Sequence, residues 1–410
     1  MILRDLFTIW ICKIVYFVLR KTGRHGAALP GLIAEKLDPS LIKKLSTLPE
    51  GIIVVSGTNG KTTTTHLTAE VLRRSGKRVF TNHSGSNMTR GLLASIIRFS
   101  TLSGRLPYDV AILEIDEAYA AKLAPVLAPK ACILTNVLRD QLDRFGEIDY
   151  TAKLLQELAS QCTELVVYNI CDPRLRLLNA QKGAKLVPYG YTAELAPYFP
   201  NDDEWHGTAK TNTLPYSSYT LSSFTAVKLG INKTIHISST LLPGAHNALN
   251  LTAVFALLSE LYPSETLDYS QLRPPYGRGE VVALGAKRFT LQLVKNPAGF
   301  KTAMTVAPNE PALIVVNDAI ADSRDVSWLW DVDFDLLKKR PSVSTSGTRA
   351  YDMANRLWYA EIASQSVDTA VESSLRNFIS RNDKGVIFLT YTAMLQVRKM
   401  LHHIGKEAEK

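Results

Sequence analysis

The sequence is short of cysteine, with four in 410 residues. Cys12, Cys132, Cys162 and Cys171 show no CxxC spacing. This scarcity argues against a disulfide framework and is typical of reduced thiols in a cytoplasm. A catalytic cysteine nucleophile would need a tight turn and a histidine base, and none of the four has that setting. The chain is therefore not expected to use one of its own cysteines as a nucleophile.

Apolar runs long enough to cross a membrane are also missing. Ile9 to Val18 is strongly apolar, but Lys13 interrupts it, so the stretch is too short and too charged to span a bilayer. No small-residue cleavage site follows, which disfavours a signal peptide. Its aromatic residues and flanking cations suit a helix at a membrane surface; packing on the protein's own core is the alternative. We predict that residues 1–45 are an apolar, basic leader of a cytoplasmic protein, with attachment to the inner face of the membrane left open.

Signatures of nucleic-acid binding are absent, because the basic residues are scattered along the chain. The net charge of +9 nevertheless favours acidic partners such as phosphates, nucleotides or an anionic membrane surface. Apolar residues make up 46% of the chain and charged residues 21%, as in a soluble globular protein. The length predicts two or three domains, at about 150 residues each.

One stretch, VVSGTNGKTTTTHL from Val54 to Leu67, has the pattern of a phosphate cradle. A short β-branched strand, a glycine turn and a helix follow one another, so that N–H groups at the helix start face an anion. Lys61 would reach the outer phosphates, and the Thr62 hydroxyl would bind Mg2+. The general P-loop pattern expects a glycine where Val55 stands, and an ordinary glycine turn with a surface lysine is the alternative. The predicted nucleotide-binding residues here are Gly57, Thr58, Asn59, Gly60, Lys61, Thr62 and Thr63.

Strands alternate with helices over the first half of the chain, which predicts a doubly wound α/β sheet. Ligands of such sheets bind at the carboxyl ends of the strands. Glu114 follows one of these strands and is our choice for a second magnesium ligand. Asp116 and Glu117 are close rivals, and a role for such carboxylates as helix caps stays open.

The sequence predicts two α/β units. A central ATP-binding domain with a parallel sheet covers residues 46–270 and carries a β-rich insertion at about 190–240, and a smaller unit covers 279–410. Asn247 and Asn250 share one helix face and could bond an adenine edge or cap the helix. Arg278 could clamp phosphate, and Asp318 could bond ribose hydroxyls.

Five motifs stand in the order found in Mur ligases, which are ATP-dependent amide-forming enzymes: GTNGKTTT, LEIDE, TNVLRDQLDRFGE, GAHNALN and YGRGE. NPAGF at 296–300 and the stretches 317–334 and 346–357 are similar to the MurT branch of that family, the synthetase subunits of lipid II isoglutaminyl synthase. The resemblance implies that Lys61 and Thr62 bind ATP and Mg2+ and that Glu114 binds the metal. It also implies that Asn247, Arg278 and Asp318 hold the nucleotide.

The reaction implied by this resemblance is amidation of the D-glutamate α-carboxylate in the lipid II stem peptide, through an acyl phosphate. Ammonia would come from a separate glutaminase subunit, GatD. Asp352 would complete the Cys-His pair of that subunit. The alternative is that Asp352 is an ordinary acidic residue in the first turn of a helix. Lys61 and Arg278 would neutralise charge, while Arg139 and Asp140 would line the same cleft or form a salt bridge.

Relatives of this kind often carry a four-cysteine zinc ribbon, but residues 190–235 contain no cysteine and one histidine, His206. One histidine cannot build a structural zinc site, so we predict no zinc. Two other functions remain open: a stand-alone Mur-type ligase that joins an amino acid, and a membrane-associated nucleotide-binding scaffold. The UDP-binding domain of other Mur ligases is not expected, since about fifty residues precede the cradle.

Overall fold

A computed structural model gives the fold of this chain. It describes residues 2–21, 28–82, 88–138, 148–180, 183–199, 217–224, 229–232, 234–237, 242–322 and 324–408.

The first sheet contains the strand of the predicted cradle, which is fully buried between two neighbours. Its described strands are β1 (Ile52–Ser56), β2 (Val79–Thr81), β3 (Val110–Glu114), β4 (Ala131–Leu134), β5 (Leu165–Asn169), β6 (Lys185–Tyr191), β7 (Tyr219–Phe224), β8 (Leu229–Ile231) and β9 (Thr234–Ile237). They lie in the order β2-β3-β1-β4-β5-β6-β7-β8-β9. Pairing is parallel from β2 to β7 and antiparallel from β7 to β9. The antiparallel strands fall where the sequence predicts the β-rich insertion, and they extend one edge of the sheet.

Helices cover both faces of this sheet, as the right-handed crossovers of parallel strands require. The described ones are α1 (Ile2–Lys21), α2 (Ala28–Leu37), α3 (Lys61–Arg74), α4 (Thr89–Phe99), α5 (Glu117–Leu127), α6 (Ile148–Gln161) and α7 (Ala245–Leu261). Helix α7 packs on α3 and on β5, β6 and β7. It therefore brings its first turn beside the cradle.

The first helix, α1, packs against α2 and α4. Ile9 and Cys12 are fully buried in the core, so one face of the helix belongs to the protein itself. Phe7, Ile14 and Phe17 on another face are more than half exposed, at 58%, 63% and 58%. Within the described residues, no helix combines the length and the apolar character that crossing a membrane requires.

The second sheet begins at Arg278, between the two predicted domains. Its described strands are β10 (Arg278–Leu284), β11 (Lys287–Leu293), β12 (Ala312–Val315), β13 (Val343–Ser346), β14 (Val367–Asp368) and β15 (Lys384–Leu389), in the order β10-β11-β15-β12-β13-β14. The β10–β11 pair is an antiparallel hairpin, and the other pairs are parallel. The helices are α8 (Pro297–Met304), α9 (Ala350–Tyr359), α10 (Val371–Arg381) and α11 (Tyr391–Ala408). Separate apolar clusters cover the two faces, one around Phe300 and one around Phe289.

The sequence did not predict α8, β13 or β14. Helix α8 begins with Asn296, whose side chain accepts from the Gly299 N–H at 2.8 Å, and Pro297 occupies the first helical position. This is an ordinary helix start, but a helix of eight residues is too short to show a clear apolar period. The domain bounds 46–270 and 279–410 stay predictions.

Candidate nucleotide-binding site

The loop between β1 and α3 requires its two glycines. Gly57 has φ +122° and Gly60 has φ +91°, both in the region that side chains other than glycine rarely adopt. A Cβ on Gly60 would lie 2.5 Å from Asn250 Oδ1, so the start of α7 closes directly over the loop. Because α3 begins at Lys61, the backbone N–H groups of its first turn point toward the loop, the arrangement by which helix starts bind anions.

Asn136, in the turn after β4, fixes the shape of the loop. The Asn59 N–H donates to Asn136 Oδ1 at 2.9 Å, and Asn136 Nδ2 donates to the Asn59 carbonyl at 3.1 Å. The Thr58 N–H donates to the Asn136 carbonyl at 2.9 Å. The sequence did not assign this residue a role, although it belongs to the motif TNVLRDQLD. Thr58 is thereby a residue that shapes the loop, with its hydroxyl donating to Leu138 O at 3.2 Å.

Lys61 is a buried lysine whose side chain folds back over its own loop. Its Nζ donates to the Gly57 carbonyl at 2.5 Å and forms an ion pair with Glu117 Oε1 at 3.1 Å. Lys61 and Glu117 are only 8% and 3% exposed. A buried ammonium requires such partners. Glu117, a rival choice for a metal ligand in the sequence, is in this structure the counter-ion of Lys61.

Thr62 and Glu114 meet at the other side of the helix start. Thr62 Oγ1 donates to Glu114 Oε1 at 2.8 Å. Asn82 holds the Glu114 backbone in place, since its side chain donates to the Glu114 carbonyl at 2.8 Å and accepts from the Glu114 N–H at 2.9 Å. A hydroxyl and a carboxylate placed together are hard oxygen ligands of the kind that Mg2+ prefers, so these residues fit the ion.

Asp116, the other rival, is buried at the N-cap position of α5. Among the described residues, no group of three or more His, Cys, Asp or Glu side chains could hold a metal ion. His206 lies outside the described residues, so the expected absence of zinc stays a prediction.

Asn247 joins the first turn of α7 to the second sheet. Its Nδ2 donates to the Pro243 carbonyl at 2.8 Å and to the Arg278 carbonyl at 3.2 Å. The residue is fully buried, and its Oδ1 has no hydrogen-bond partner among the described residues. Arg278 stands at the start of β10, where burial lowers the pKa of the guanidinium while the negative charge of Glu114 opposes that shift. Asn250 faces Gly60, so the structure brings both asparagines and Arg278 to the cradle.

A cavity of about 150 Å3 lies between the cradle, the first turn of α7 and the second sheet. Two polar atoms on its lining residues are buried and have no partner among the described residues: His246 Nδ1 and Gln292 Nε2. The sequence missed both, although His246 stands in the quoted motif GAHNALN. The lining residues include Asn59, Gly60, Thr63, Asn136, Asn169, Asp172, Arg174, Tyr191, His246, Asn250, Arg278, Gln292, Lys295 and Thr302.

Asp318 does not line this cavity. Thr348 Oγ1 donates to Asp318 Oδ1 at 2.7 Å, and Arg349 Nε donates to Asp318 Oδ2 at 2.8 Å. The Thr348 hydrogen bond, followed by the Arg349 partner, lowers the pKa of the Asp318 carboxyl. Arg349 Nη1 also lies 3.5 Å from Asp352 Oδ2, so the two aspartates share one arginine. Arg139 and Asp140 lie outside the described residues, and their assignment stays a prediction.

His246 predicts a pH dependence of stability. Burial, and then the positive charge of Arg278, lower the pKa of His246 to about 4 in the folded chain. In the unfolded chain this histidine binds its proton near pH 6.5, whereas in the folded chain it does so only near pH 4. The unfolded state therefore binds more protons between these values, and the free energy of unfolding falls as pH drops from about 7 to about 4. We expect His246→Gln to remove up to about 3 kcal/mol of this fall, and less to the extent that water reaches the partly exposed ring.

The measurement is urea unfolding of wild type and variant at pH 7 and at pH 4. His403→Gln on the exposed side of α11 is the matched control and should leave the fall unchanged. The same fall in wild type and His246→Gln would show that another group causes it.

Comparisons with known proteins agree with this geometry. Residues 55–258 match the Mur ligase middle domain, and residues 293–394 match the MurT ligase C-terminal family. A relative from Streptococcus pneumoniae (strain ATCC BAA-255 / R6), named lipid II isoglutaminyl synthase (glutamine-hydrolyzing) subunit MurT, is 30% identical over 427 aligned positions that cover 94% of each chain. The chain belongs to the MurT family. A relative of the same name from Staphylococcus aureus (strain COL) is 29% identical over 88% of this chain and 89% of its own.

Solved structures show the same fold. The MurF ligase from Thermotoga maritima in complex with ADP superposes with a TM-score of 0.68 at 18% identity, over 93% of this MurT-family chain and 84% of its own. Folylpolyglutamate synthase from Mycobacterium tuberculosis, complexed with ADP and AMPPCP, gives 0.59 at 14% identity, over 92% and 98%. The predicted α/β class, with a Mur ligase-like P-loop domain and a smaller second α/β unit, is confirmed. This MurT-family chain is an ATP-dependent ligase.

Proposed function

We propose that this chain uses ATP to amidate the D-glutamate α-carboxylate in the stem peptide of lipid II, with ammonia from a glutaminase partner. The observation that carries the proposal is the junction of Lys61, Thr62 and Glu114 at a glycine loop in a chain whose family is MurT. Two relatives that match almost end to end bear the name of the glutamine-hydrolysing lipid II isoglutaminyl synthase. We place the reaction in the cytoplasm, at the inner face of the membrane that holds the lipid-linked substrate.

In the proposed reaction, a carboxylate oxygen of the substrate attacks the γ-phosphorus of ATP, and the bond from that phosphorus to the ADP oxygen breaks. The resulting acyl phosphate is attacked by ammonia at its carbonyl carbon. The carbon–oxygen bond to phosphate then breaks, a proton leaves the nitrogen, and the amide and phosphate are released. Nothing in these steps requires a covalent bond to the protein, so the catalytic contribution of the chain is positioning and neutralisation of charge.

Each site residue has a proposed part in that work. The N–H groups at the start of α3 and the Lys61 ammonium bind the phosphates, and Arg278 adds positive charge from the second sheet. Thr62 and Glu114 would hold Mg2+, which when bound neutralises charge on the phosphate oxygens. The cavity beside the loop would receive the nucleobase, whose edge could hydrogen-bond to Asn250 and to Gln292 Nε2, an atom with no partner within the described part of the chain. The proposed domains, 46–270 and 279–410, meet at this place.

A separate source of ammonia is supported by the state of the cysteines. All four are free and buried, and burial raises the pKa of Cys12 and of Cys171 to about 11. At neutral pH such thiols stay protonated, whereas a nucleophile must be a thiolate. Glutamine hydrolysis therefore falls to a partner subunit of the GatD type in this proposal.

The second sheet presents a surface for that partner. Asp352 lies in the first turn of α9, with its side chain 51% exposed. Aromatic side chains on the same helix and beside it are also exposed: Tyr351 at 67%, Trp358 at 73%, Tyr359 at 69% and Trp330 at 51%. Exposed aromatic residues around a carboxylate are typical of an interface core, where tryptophan and tyrosine supply much of the binding energy.

We expect Trp358→Ser to weaken binding of the glutaminase subunit by about 10- to 100-fold, since truncating a central interface aromatic costs 2 kcal/mol or more. Titration calorimetry with the purified partner measures this. Tyr150→Ser, which removes an aromatic side chain that is 52% exposed on the first sheet's side, is the control and should bind as wild type does. Equal affinities for wild type and Trp358→Ser would place the partner elsewhere.

The direct experiment combines the purified chain, the glutaminase, lipid II, ATP and glutamine, and follows product mass and ADP. We expect conversion of one carboxylate to an amide with one ADP per product. A gain of one amino acid residue in the product would instead indicate a stand-alone Mur-type ligase. Nucleotide binding without ADP release would indicate a scaffold.

A further inference from the structure

Helix α1 carries an exposed apolar face that the proposed reaction does not use. This apolar face consists of Phe7, Trp10, Ile14, Phe17 and Val18, which are 58%, 51%, 63%, 58% and 52% exposed. Their spacing of three and four residues aligns them along one side of the helix over about three turns. Leu102, 72% exposed, adjoins the face, because Trp10 Nε1 donates to its carbonyl at 2.8 Å.

The rest of the protein fixes this face toward solvent. On the opposite side of α1, Thr8, Ile9 and Cys12 are fully buried. Lys13 Nζ reaches the Arg98 carbonyl of α4 at 3.4 Å, and Asp5 forms an ion pair with Lys44 at 3.3 Å. The helix therefore cannot rotate to bury the apolar face without losing its core contacts. So large a run of exposed aromatic and aliphatic side chains marks an interaction surface.

Exposed cations border the apolar face. Asp5 is the only acidic residue between positions 2 and 21, and its carboxylate is already paired with Lys44. Lys21 at the end of the helix is exposed, as are Arg98 and Arg105 on the adjoining segment. Aromatic and aliphatic residues bordered by cations match the interface of a bilayer that contains anionic phospholipids.

We propose that the apolar face docks this chain on an anionic phospholipid bilayer, with α1 lying parallel to the membrane plane. The inference rests on the proposed function, because docking would hold the ligase at the surface where a lipid-linked substrate resides. The cationic rim favours a lipid headgroup layer over a second copy of the same surface, since two such rims would repel each other. The proposed glutaminase surface lies on the other sheet, around Asp352.

The test is co-flotation of the full chain with vesicles of phosphatidylglycerol and phosphatidylcholine, compared with phosphatidylcholine alone. We expect binding to the anionic vesicles, weaker binding to the neutral ones and a loss with added salt. Phe7→Ser combined with Ile14→Ser and Phe17→Ser should lower the partition coefficient at least about tenfold, because three exposed apolar anchors are removed. Leu177→Ser, Val281→Ser and Ile320→Ser together remove three other exposed apolar side chains and should change nothing.

Four outcomes would overturn the proposal. Wild type could fail to float with anionic vesicles, or the triple variant could float equally well. If wild type does not bind vesicles but forms a dimer, and the triple variant is monomeric, the face is an interface with a second copy. Loss of glutaminase binding in the triple variant, again without vesicle binding, would assign it to the partner.

Failure of docking is separable from failure of the proposed function. Amidation of a lipid II analogue with a short, water-soluble chain should be the same for wild type and the triple variant. If neither amidates the analogue but wild type still floats, the function is wrong and the docking surface stands. Unchanged thermal unfolding of the triple variant confirms that its core is intact.

Discussion

Replacing Lys61 with methionine should lower the rate of ADP formation by roughly a thousandfold, the usual cost of losing a charged group at a phosphoryl-transfer site. The Lys61 ammonium is buried against the loop carbonyls, so no solvent charge can replace it. The measurement is coupled detection of ADP with saturating ammonium and acceptor. Thermal shifts with and without ATP report whether the nucleotide still binds.

Two further variants separate chemistry from folding. Lys61→Met leaves Glu117 buried without its ion-pair partner, which costs up to about 3–5 kcal/mol of stability. Adding Glu117→Gln removes that uncompensated charge, so the double variant should regain stability but not activity. Lys77→Met, which also breaks a partly buried ion pair with a carboxylate, Glu50, should keep the wild-type rate. If Lys61→Met releases ADP at the wild-type rate, Lys61 has no catalytic role.

The cradle was predictable because the strand, the turn and the helix start that form it are consecutive in sequence. A buried strand, two glycines and a helix start follow within ten residues, and the backbone itself supplies the anion site. The residues that shape it are not local. Asn136 meets Asn59 across 77 positions, and Gln292 reaches the cavity from the second sheet with no motif around it. Such contacts depend on the order of the strands in the sheet, and that order cannot be read from a single sequence.

The first helix shows a different limit. Apolar residues occur on nearly every side of α1, so periodicity could not decide between packing on the core and lying at a membrane surface. The structure resolves the first half of that question, because Ile9 and Cys12 are buried while Phe7 and Ile14 stay exposed. Likewise, the sequence ranked Glu114, Asp116 and Glu117 only by position. Direct contacts distinguish them, with Glu114 on Thr62 and Glu117 on Lys61.

Asp352→Asn should lower glutamine-dependent amidation by about 10,000-fold, the scale on which a triad carboxylate contributes through its histidine. Ammonia-dependent amidation should stay at the wild-type rate. Asp352 is half exposed and does not line the nucleotide cavity, so its charge is available to a group outside the chain. Its pair with Arg349, 3.5 Å long and open to water, contributes about 1 kcal/mol at most to stability.

Asp318→Asn is the matched control, because Asp318 binds the same Arg349 and differs in its proposed role. If Asp318 holds the ribose, its loss raises the KM for ATP with either nitrogen source, whereas loss of Asp352 affects glutamine use alone. Equal losses with glutamine and ammonium in Asp352→Asn would mean that Arg349 transmits the change to the ligase site. In that case Arg349→Met should reproduce both losses, and the carboxylate that orients the partner's histidine must be sought elsewhere. An Asp352 variant that hydrolyses glutamine normally with its partner would also exclude the role, whatever its amidation rate.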